Sequence, residues 1–402
     1  MATQKISVEQ KIAGAPEVVW FALTRVPVLN QWLCDSASVQ ANEGGRFYAW
    51  WNDGWYASGV FTTFKENEAV TFTWNGKDEP GESQVHIALS ADGGATTLTL
   101  AHETPEGDQW KPHLAEFEKH WRLLLENLQF TVERGLDKRM FDRPFLGIML
   151  TGIPNEETAE RLGLPEHGKW IQISGTVPDT GAAAAGLQAD DVLVSLGGHK
   201  TETFQDLNVA LSARKAGDTV DVELYRDGAL QTMPMQLSHR PQPEVPATIS
   251  EAAAAIRKVN AELVAELDAL FEGVDEAHAA ARPAASEWSA REVLAHLIMN
   301  ERWFHMYVST AVTGQRTPGF SNDLGTIAAI AAGYDNAKET VAAYARAMET
   351  SVAALEGLPE DALKRKYDYV SLLQLPLNFN PQHTRSHYPQ IEAALEAAGA
   401  KG

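Results

Sequence analysis

The spacing of hydrophobic residues changes along the chain, and each spacing predicts a different kind of structure. In the first third, apolar residues alternate with polar ones, as at Val70, Phe72 and Trp74, which predicts antiparallel strands with one buried face. From 110 to 134 the apolar residues recur at helical spacing up to Gly135, which predicts a long amphipathic helix that ends there.

Beyond that helix, short strand patterns and turn residues fill the middle of the chain, and alanine-rich helical patterns fill its end. Long amphipathic helices need neighbours to cover their apolar faces, so the last part predicts a four-helix bundle. Its helices are predicted at 249–270, 289–312, 324–355 and 381–398. The proline-rich stretch 240–246 predicts a linker. We therefore expect three domains, which span 1–137, 138–243 and 244–402.

The charge balance excludes several classes of partner. The 402 residues contain 33 Lys and Arg against 54 Asp and Glu, so the formal net charge is −21. An acidic surface repels phosphate, so we expect no nucleic-acid partner and no binding to anionic membranes. The chain has no apolar run of the ~20 residues that a membrane span needs and no secretory signal pattern. The single cysteine, Cys34, excludes an internal disulfide, and we expect a cytoplasmic protein.

The first segment orders its elements as a short strand, a helix, an antiparallel sheet and a long closing helix. This order, the sequence GGRF at 44–47 and the closing WRLLLENLQFTVERG resemble the START-like (SRPBCC) superfamily, in the branch related to activators of a chaperone ATPase. The resemblance implies an α+β helix-grip fold around an apolar cavity. The segment carries more aromatic residues than one core needs, which predicts a cavity for a small apolar ligand. The expected lining residues are Trp51, Trp74, Phe117 and Trp121. A Trp-rich core without a ligand is the alternative.

The middle segment carries the sequence FLGI at 145–148 and the motif AGLxxDDVLxxxGG at 185–198. These features resemble a PDZ domain of the kind found with bacterial proteases. The resemblance implies a mostly-β fold that binds a protein C-terminus or an extended peptide. It assigns the carboxylate-binding loop to Phe145, Leu146, Gly147 and Ile148, and the pocket for the last peptide side chain to Leu207 and Leu211. The alternative is a groove that another domain of the same chain occupies.

Histidines are the candidate chemical groups of the last segment. His383 and His387 have the i, i+4 spacing that lets two imidazoles on one helix face bind one metal ion. His296 and His305 are predicted on opposite faces of their helix, so only one of them can join the pair. His296 is the better third ligand, because apolar residues surround it.

The sequences Trp288-Ser289 and Ala295-His296-Leu297, with HxxxHxxQI at 383–391, together resemble the DinB-like family. That family is a four-helix bundle with a three-histidine metal site. The resemblance implies His296, His383 and His387 as ligands, with a coordination position left open. Three neutral imidazoles suit zinc or nickel better than magnesium or calcium. We expect no nucleotide cofactor.

Two residues near these histidines affect the metal prediction. Pro389 lies two residues after His387 and predicts a kink in that helix. Asn300, one turn after His296, is a candidate outer hydrogen-bond partner. The alternative is a bundle whose histidines pack without metal, and no general acid or base is evident from the spacing.

Three functions are compatible with these domains. The main hypothesis is a multidomain binding protein that combines a START-like module, a peptide-binding PDZ module and a metal-capable bundle. The alternative is a metal-dependent enzyme, a thiol S-transferase, isomerase or hydrolase that uses the three histidines. A third hypothesis is an interaction protein whose START-like domain contacts a chaperone. The sequence does not decide whether the protein is an enzyme.

Overall fold

The computed structural model describes residues 2–400, and the chain divides into two compact units. One unit contains the residues up to Leu136 together with those from Glu244 onward, and the other contains Asp137–Pro243. The first and last segments of the chain therefore pack together, although the middle segment separates them in sequence. None of the helices between residues 2 and 400 is both long enough and apolar enough to cross a membrane.

The N-terminal segment is an antiparallel sheet with helices, as the hydrophobic pattern predicts. Its strands are β1 (Thr3–Ile12), β2 (Ser36–Val39), β3 (Arg46–Trp50), β4 (Tyr56–Lys65), β5 (Ala69–Gly76), β6 (Ser83–Asp92) and β7 (Ala95–Pro105). They pair in the order β1-β7-β6-β5-β4-β3-β2. Helices α1 (Pro16–Thr24) and α2 (Val26–Trp32) follow β1, and α3 (Lys111–Arg134) follows a short 3₁₀ turn after β7.

The predicted alternation in β5 and the predicted closing helix are both confirmed. Val70, Phe72 and Trp74 are buried, and Val70 pairs with Ile87 on β6. Helix α3 ends at Gly135, whose φ of 76° lies in the left-handed region that a side chain with a Cβ disfavours. This α+β architecture is the predicted one.

The middle segment is mostly β. Its strands are β8 (Ile148–Gly152), β9 (Ile171–Thr176), β10 (Val192–Leu196), β11 (His199–Lys200), β12 (Thr219–Arg226) and β13 (Ala229–Gln236). The sheet order is β13-β12-β10-β9-β8, with β11 paired to β10, so β8 lies at an edge. The helices are short: α4 (Lys138–Phe141), α5 (Glu156–Leu162), α6 (Gly181–Ala184) and α7 (Phe204–Ser212).

All secondary-structure elements of the described C-terminal segment are helices. Its helices are α8 (Ile249–Leu270), α9 (Glu276–Ala280), α10 (Ala290–Thr313), α11 (Leu324–Ala331), α12 (Ala337–Glu356), α13 (Glu360–Lys364), α14 (Lys366–Gln374), α15 (Asn380–Ser386) and α16 (Tyr388–Ala397). A π-helical turn, Leu375–Phe379, joins α14 to α15. Helices α8 and α10 match the predicted spans closely.

Two predicted helices are interrupted. The single helix predicted at 324–355 is wrong, because the structure has α11 and α12 there with a break between them. Asn336 caps α12 by accepting a hydrogen bond from Glu339 N, which fixes a new helix start. The helix predicted at 381–398 divides at His387, and Pro389 lies in the first turn of α16, where its missing N–H costs nothing.

Helix α14 joins the bundle to the N-terminal sheet. Tyr367 is buried within the hydrophobic core of the N-terminal segment, and its hydroxyl donates to Val18 O at 2.9 Å. The Arg365 guanidinium lies over the Phe21 ring, 4.0 Å from its centroid. Lys366 Nζ donates to Glu133 O at 2.9 Å. Helix α14 therefore contacts the N-terminal segment through a buried hydrophobic interface.

Candidate metal centre

Three separate helix positions bring His296, His383 and His387 together. His296 lies in the first half of α10, which starts with a capping box between Ser289 and Glu292. His383 lies in α15, and His387 lies at the junction of α15 and α16. Among residues 2–400, this trio is the group of histidine, cysteine and acidic side chains close enough to hold one metal ion.

The three side chains meet through the same ring atom. His383 Nε2 lies 3.3 Å from His296 Nε2 and 3.2 Å from His387 Nε2. A tetrahedral zinc ion with Zn–N bonds of about 2.05 Å separates its nitrogen ligands by about 3.3 Å. Two of the three donor–donor distances thus match the spacing around one zinc ion, and all three donor atoms lie within 4.8 Å of one another.

Two amide side chains orient the outer nitrogens of the cluster. His296 Nδ1 lies 3.0 Å from Asn322 Oδ1, and His387 Nδ1 lies 2.9 Å from Gln390 Oε1. An amide oxygen only accepts, so each Nδ1 carries the proton and donates it. The Nε2 lone pairs of both rings then face the centre of the cluster, which is the tautomer that a metal ligand needs.

The third imidazole is held by packing. His383 Nδ1 is buried and has no hydrogen-bond partner among the described residues. Phe379, from the π-helical turn, stacks on this ring with centroids 5.9 Å apart. Trp288 stacks on His296 with centroids 5.0 Å apart. The two aromatic rings therefore flank the cluster, and the Phe379 ring is 56 % exposed beside it.

The electrostatics of the site favour neutral imidazoles. The pKa of His296 is lowered to about 4, mainly by burial and then by the charges of His387 and His383, although the Asn322 hydrogen bond opposes this shift. Burial and the charge of His387 also lower the pKa of His383. Neutral imidazoles are the form that binds transition metals, so the donor set fits zinc or nickel.

Two parts of the site were not evident from the sequence. The outer partner of His296 is Asn322, from the segment before α11, and not the predicted Asn300. Gln390 belongs to the HxxxHxxQ pattern, but the spacing alone does not predict its hydrogen bond with His387. Sequence spacing cannot reveal Asn322, because the segment that carries it has no periodic pattern.

A buried acid lies deeper in the bundle. Glu301 Oε1 accepts a hydrogen bond from Asn380 Nδ2 at 3.0 Å, and its Oε2 accepts one from Ser351 Oγ at 2.6 Å. Burial raises the pKa of this carboxyl group. Asn380 is the first residue of α15, so Glu301 ties α10 to the helix that carries His383.

The predicted carboxylate loop precedes the edge strand of the middle segment. Gly147 has a φ of 76°, and a Cβ added there would lie 2.3 Å from Thr180 Oγ1. The fold itself therefore requires this glycine, in addition to the predicted need for close approach of an anion. Leu146 and Leu207 are buried in one hydrophobic core, and Ile148 and Leu211 pack against it.

The predicted cavity residues of the N-terminal segment form an aromatic cluster. Trp74, Phe117 and Trp121 are buried, and Trp51 packs against the same core. The Trp74 and Trp121 rings lie 5.6 Å apart. Phe117 stacks on His102 with centroids 4.0 Å apart. These rings therefore contact one another, and a ligand between them stays a prediction.

Family models match three parts of the chain in succession. "Activator of Hsp90 ATPase homolog 1-like protein" matches residues 13–133, and "PDZ domain" matches residues 144–237. "Mycothiol maleylpyruvate isomerase N-terminal domain", a DinB-like model, matches residues 260–376. The chain carries these three domains in this order. The fold predicted for each segment is thereby confirmed.

Curated relatives match through the PDZ domain. A probable periplasmic serine endoprotease DegP-like of Marinomonas sp. is 30% identical over 131 residues, which cover 32% of this chain and 28% of that protein. Serine protease Do-like HtrA of Bacillus subtilis is 30% identical over 114 residues, which cover 27% of this chain and 25% of that protein. The chain thus spans about a quarter of the length of these relatives.

Solved structures match about a third of the chain. CalU16 from Micromonospora echinospora is 26% identical, and the match covers 32% of this chain and 74% of that one with a TM-score of 0.29. The Aha1 dimer from Colwellia psychrerythraea is 20% identical, and the match covers 32% of this chain and 96% of that one with a TM-score of 0.30.

Proposed function

We propose that the protein is a multidomain binding protein whose DinB-like bundle holds a divalent transition metal, zinc or nickel. The ligands are His296, His383 and His387, and one coordination position is left open. The observation that carries the proposal is the convergence of three Nε2 atoms at 3.2 and 3.3 Å. The PDZ domain binds a chain terminus, and the START-like domain binds a small apolar ligand or a client surface.

The convergence itself favours a metal over a purely structural cluster. Asn322 and Gln390 turn two Nε2 lone pairs toward the centre, and the single proton that His383 Nε2 can offer pairs with only one of them. The remaining lone pair then faces a polar centre without a donor, which costs free energy in a half-buried site. A metal ion accepts all three lone pairs at once.

The bound metal would supply Lewis acidity, which polarises an oxygen or sulfur ligand in the open position. The chain's own residues prepare that position. Asn322 and Gln390 fix the ring orientations, and Trp288 and Phe379 limit the access of water to two of the imidazoles.

The peptide function rests on the edge position of β8. An exposed strand edge offers unpaired N–H and C=O groups to an added strand. Met149 and Leu150, both on β8, are 48% and 44% exposed. The loop at 145–148 leads into this strand, whose first residue is Ile148, and in this proposal it holds the terminal carboxylate of the added peptide.

A metal-dependent enzyme is the second candidate function, favoured by the three-ligand arrangement with an open position. Catalytic zinc sites use three protein ligands and leave the fourth for substrate or water. The model that matches 260–376 is named for a mycothiol maleylpyruvate isomerase, and mycothiol in that name supports a thiol-dependent reaction. The carboxylate of the buried Glu301 bonds to Ser351 and Asn380 and to none of the three histidines within the described residues, so it is not placed as their general base.

Metal analysis of the purified full-length protein tests the main proposal. We expect the wild-type protein to bind one equivalent of zinc or nickel, and the His383→Ala variant to lose it. His305→Ala is the matched control, since His305 lies on α10 with its Nε2 3.0 Å from Ala347 O. Equal and negligible metal in all three proteins would refute the metal centre. Thiol-dependent turnover of an electrophile that disappears only in His383→Ala would favour the enzyme.

A further inference from the structure

An arginine lies directly against the predicted carboxylate loop of the PDZ domain. The Arg240 guanidinium lies over the Phe145 ring, 4.8 Å from its centroid. A two-way backbone bridge fixes this position: Phe145 N donates to Ser238 O at 2.8 Å, and Ser238 N donates to Phe145 O at 3.0 Å. Arg240 follows Ser238 by two residues, so the bridge holds it at the start of the loop.

No acidic side chain among residues 2–400 pairs with this cation. Arg240 Nε is buried and has no hydrogen-bond partner among the described residues. Burial lowers the pKa of Arg240, and the charge of the neighbouring Arg143 lowers it further. No ion pair of either arginine occurs within residues 2–400. A half-buried, unpaired charge costs free energy until an anion arrives.

The direction of an added peptide brings its last residues to this point. A peptide that pairs antiparallel with β8 has its C-terminus beside the start of β8, next to the loop at 145–148. Phe145 N is already bonded to Ser238 O, so the following N–H groups of that loop would bind the terminal carboxylate, which leaves the two guanidinium groups for a second negative charge. Side chains near the peptide's end are the groups that lie within reach of Arg240.

We propose that Arg240, with Arg143 beside it, forms an anion subsite that selects peptides carrying Asp or Glu next to a free C-terminus. The proposal rests on the peptide function proposed above. A carboxylate side chain satisfies the buried Nε and relieves the repulsion between the two cations. Arginine is well suited to this role, because its planar guanidinium binds carboxylates through two parallel hydrogen bonds.

Four peptide pools test the subsite. The pools are randomised upstream, end in Asp-Val or Asn-Val, and carry either a free or an amidated C-terminus. For the full-length wild-type protein we expect the free Asp-Val pool to bind about tenfold tighter than the free Asn-Val pool. In Arg240→Gln this ratio falls to about one, whereas the preference for a free over an amidated C-terminus stays.

Two controls keep the test specific. Lys200→Gln removes the same charge from an exposed position on β11 and should keep the wild-type ratio. Arg240→Lys keeps the positive charge but lacks the planar guanidinium group, so it should retain part of the preference for the Asp-Val pool. A ratio of one in the wild-type protein, or an unchanged ratio in a folded Arg240→Gln protein, overturns the subsite alone. Equal binding of free and amidated pools overturns the carboxylate loop and the subsite with it.

Discussion

Two histidines, one in the START-like domain and one in the bundle, are both buried but differ in what their ring nitrogens contact. His102 is fully buried, and burial lowers its pKa to about 3. His296 is also buried, and burial lowers its pKa to about 4. Burial and the direction of the pKa shift therefore do not distinguish a structural histidine from a proposed metal ligand.

The difference lies in what the ring nitrogens contact. Trp121 Nε1 donates to His102 Nδ1 at 3.1 Å, since an indole N–H only donates. The proton of His102 is therefore on Nε2, which donates to Ser83 Oγ at 2.8 Å, and that hydroxyl donates to Trp74 O at 3.2 Å. Both nitrogens have partners within the domain, whereas His296 turns Nε2 toward two other imidazoles. This incomplete hydrogen-bond network is what singles out His296 as the proposed metal ligand.

The largest expected effect is the acid sensitivity of the START-like domain. The folded pKa of His102, about 3, lies below the unfolded value of 6.5. The folded state thus binds fewer protons, so the stability from the neutral imidazole is complete above pH 6.5 and is lost as the pH falls toward 3. The linkage amounts to roughly 5 kcal/mol for a shift of this size.

Denaturant unfolding measured between pH 7 and pH 4 checks whether the free energy of unfolding falls as the pH falls. His102→Phe removes the titrating group and should flatten that part of the profile, whereas a His120→Phe control on the exposed face of α3 should not. An equally steep profile in His102→Phe would place the acid sensitivity elsewhere.

A crossed pair of alanine variants tests the comparison directly. His102→Ala opens a cavity and leaves Ser83 and Trp121 without their partner, so we expect a loss of about 3 to 4 kcal/mol in the free energy of unfolding. His296→Ala should abolish metal binding with a smaller loss of stability in the metal-free protein. Chemical denaturation and metal titration of both variants provide the two measurements. The comparison fails if His102→Ala weakens metal binding as strongly as His296→Ala does.

The outer amides of the metal centre have a smaller expected effect. Asn322→Ala and Gln390→Ala each free one imidazole to rotate, and we expect metal affinity to fall by about 10- to 100-fold in each. Competition with a chromophoric chelator measures the affinity. Gln382→Ala, which removes an exposed amide from α15, is the control and should bind metal like the wild type. Unchanged affinity in both outer variants would show that packing alone orients the rings.

The sequence predicted the folds, and it singled out the three histidines that the structure brings together, because both depend largely on local patterns. The alternation of Val70, Phe72 and Trp74 determines a strand, and the i, i+4 spacing of His383 and His387 brings their rings together. Contacts between distant segments had no such signal. Asn322 lies in an irregular segment. Glu301 has the sequence pattern of an ordinary charged helix residue, and only the structure shows its hydrogen bonds with Ser351 and Asn380.

The contact between the two regions was also invisible to periodicity. Tyr367 falls on a short helix of the bundle, yet its ring is buried in the START-like core. The same continuous path of α14, the π-helical turn and α15 leads from Tyr367 to His383. The two histidine environments are therefore connected through the backbone, although no side chain is shared between them.

Tyr367→Phe measures whether that connection carries energy. The variant keeps the buried ring and loses the hydrogen bond from the Tyr367 hydroxyl to Val18 O, so we expect a cost of about 1 kcal/mol in unfolding free energy. Metal affinity should stay at the wild-type value, because the ring continues to anchor α14. Thermal unfolding and metal titration on the same sample separate the two effects, with Tyr369→Phe, whose hydroxyl donates to Pro246 O, as the control. A parallel loss of metal affinity in Tyr367→Phe alone would mean that the START-like core positions His383, and the two regions would then be one coupled site and not two independent ones.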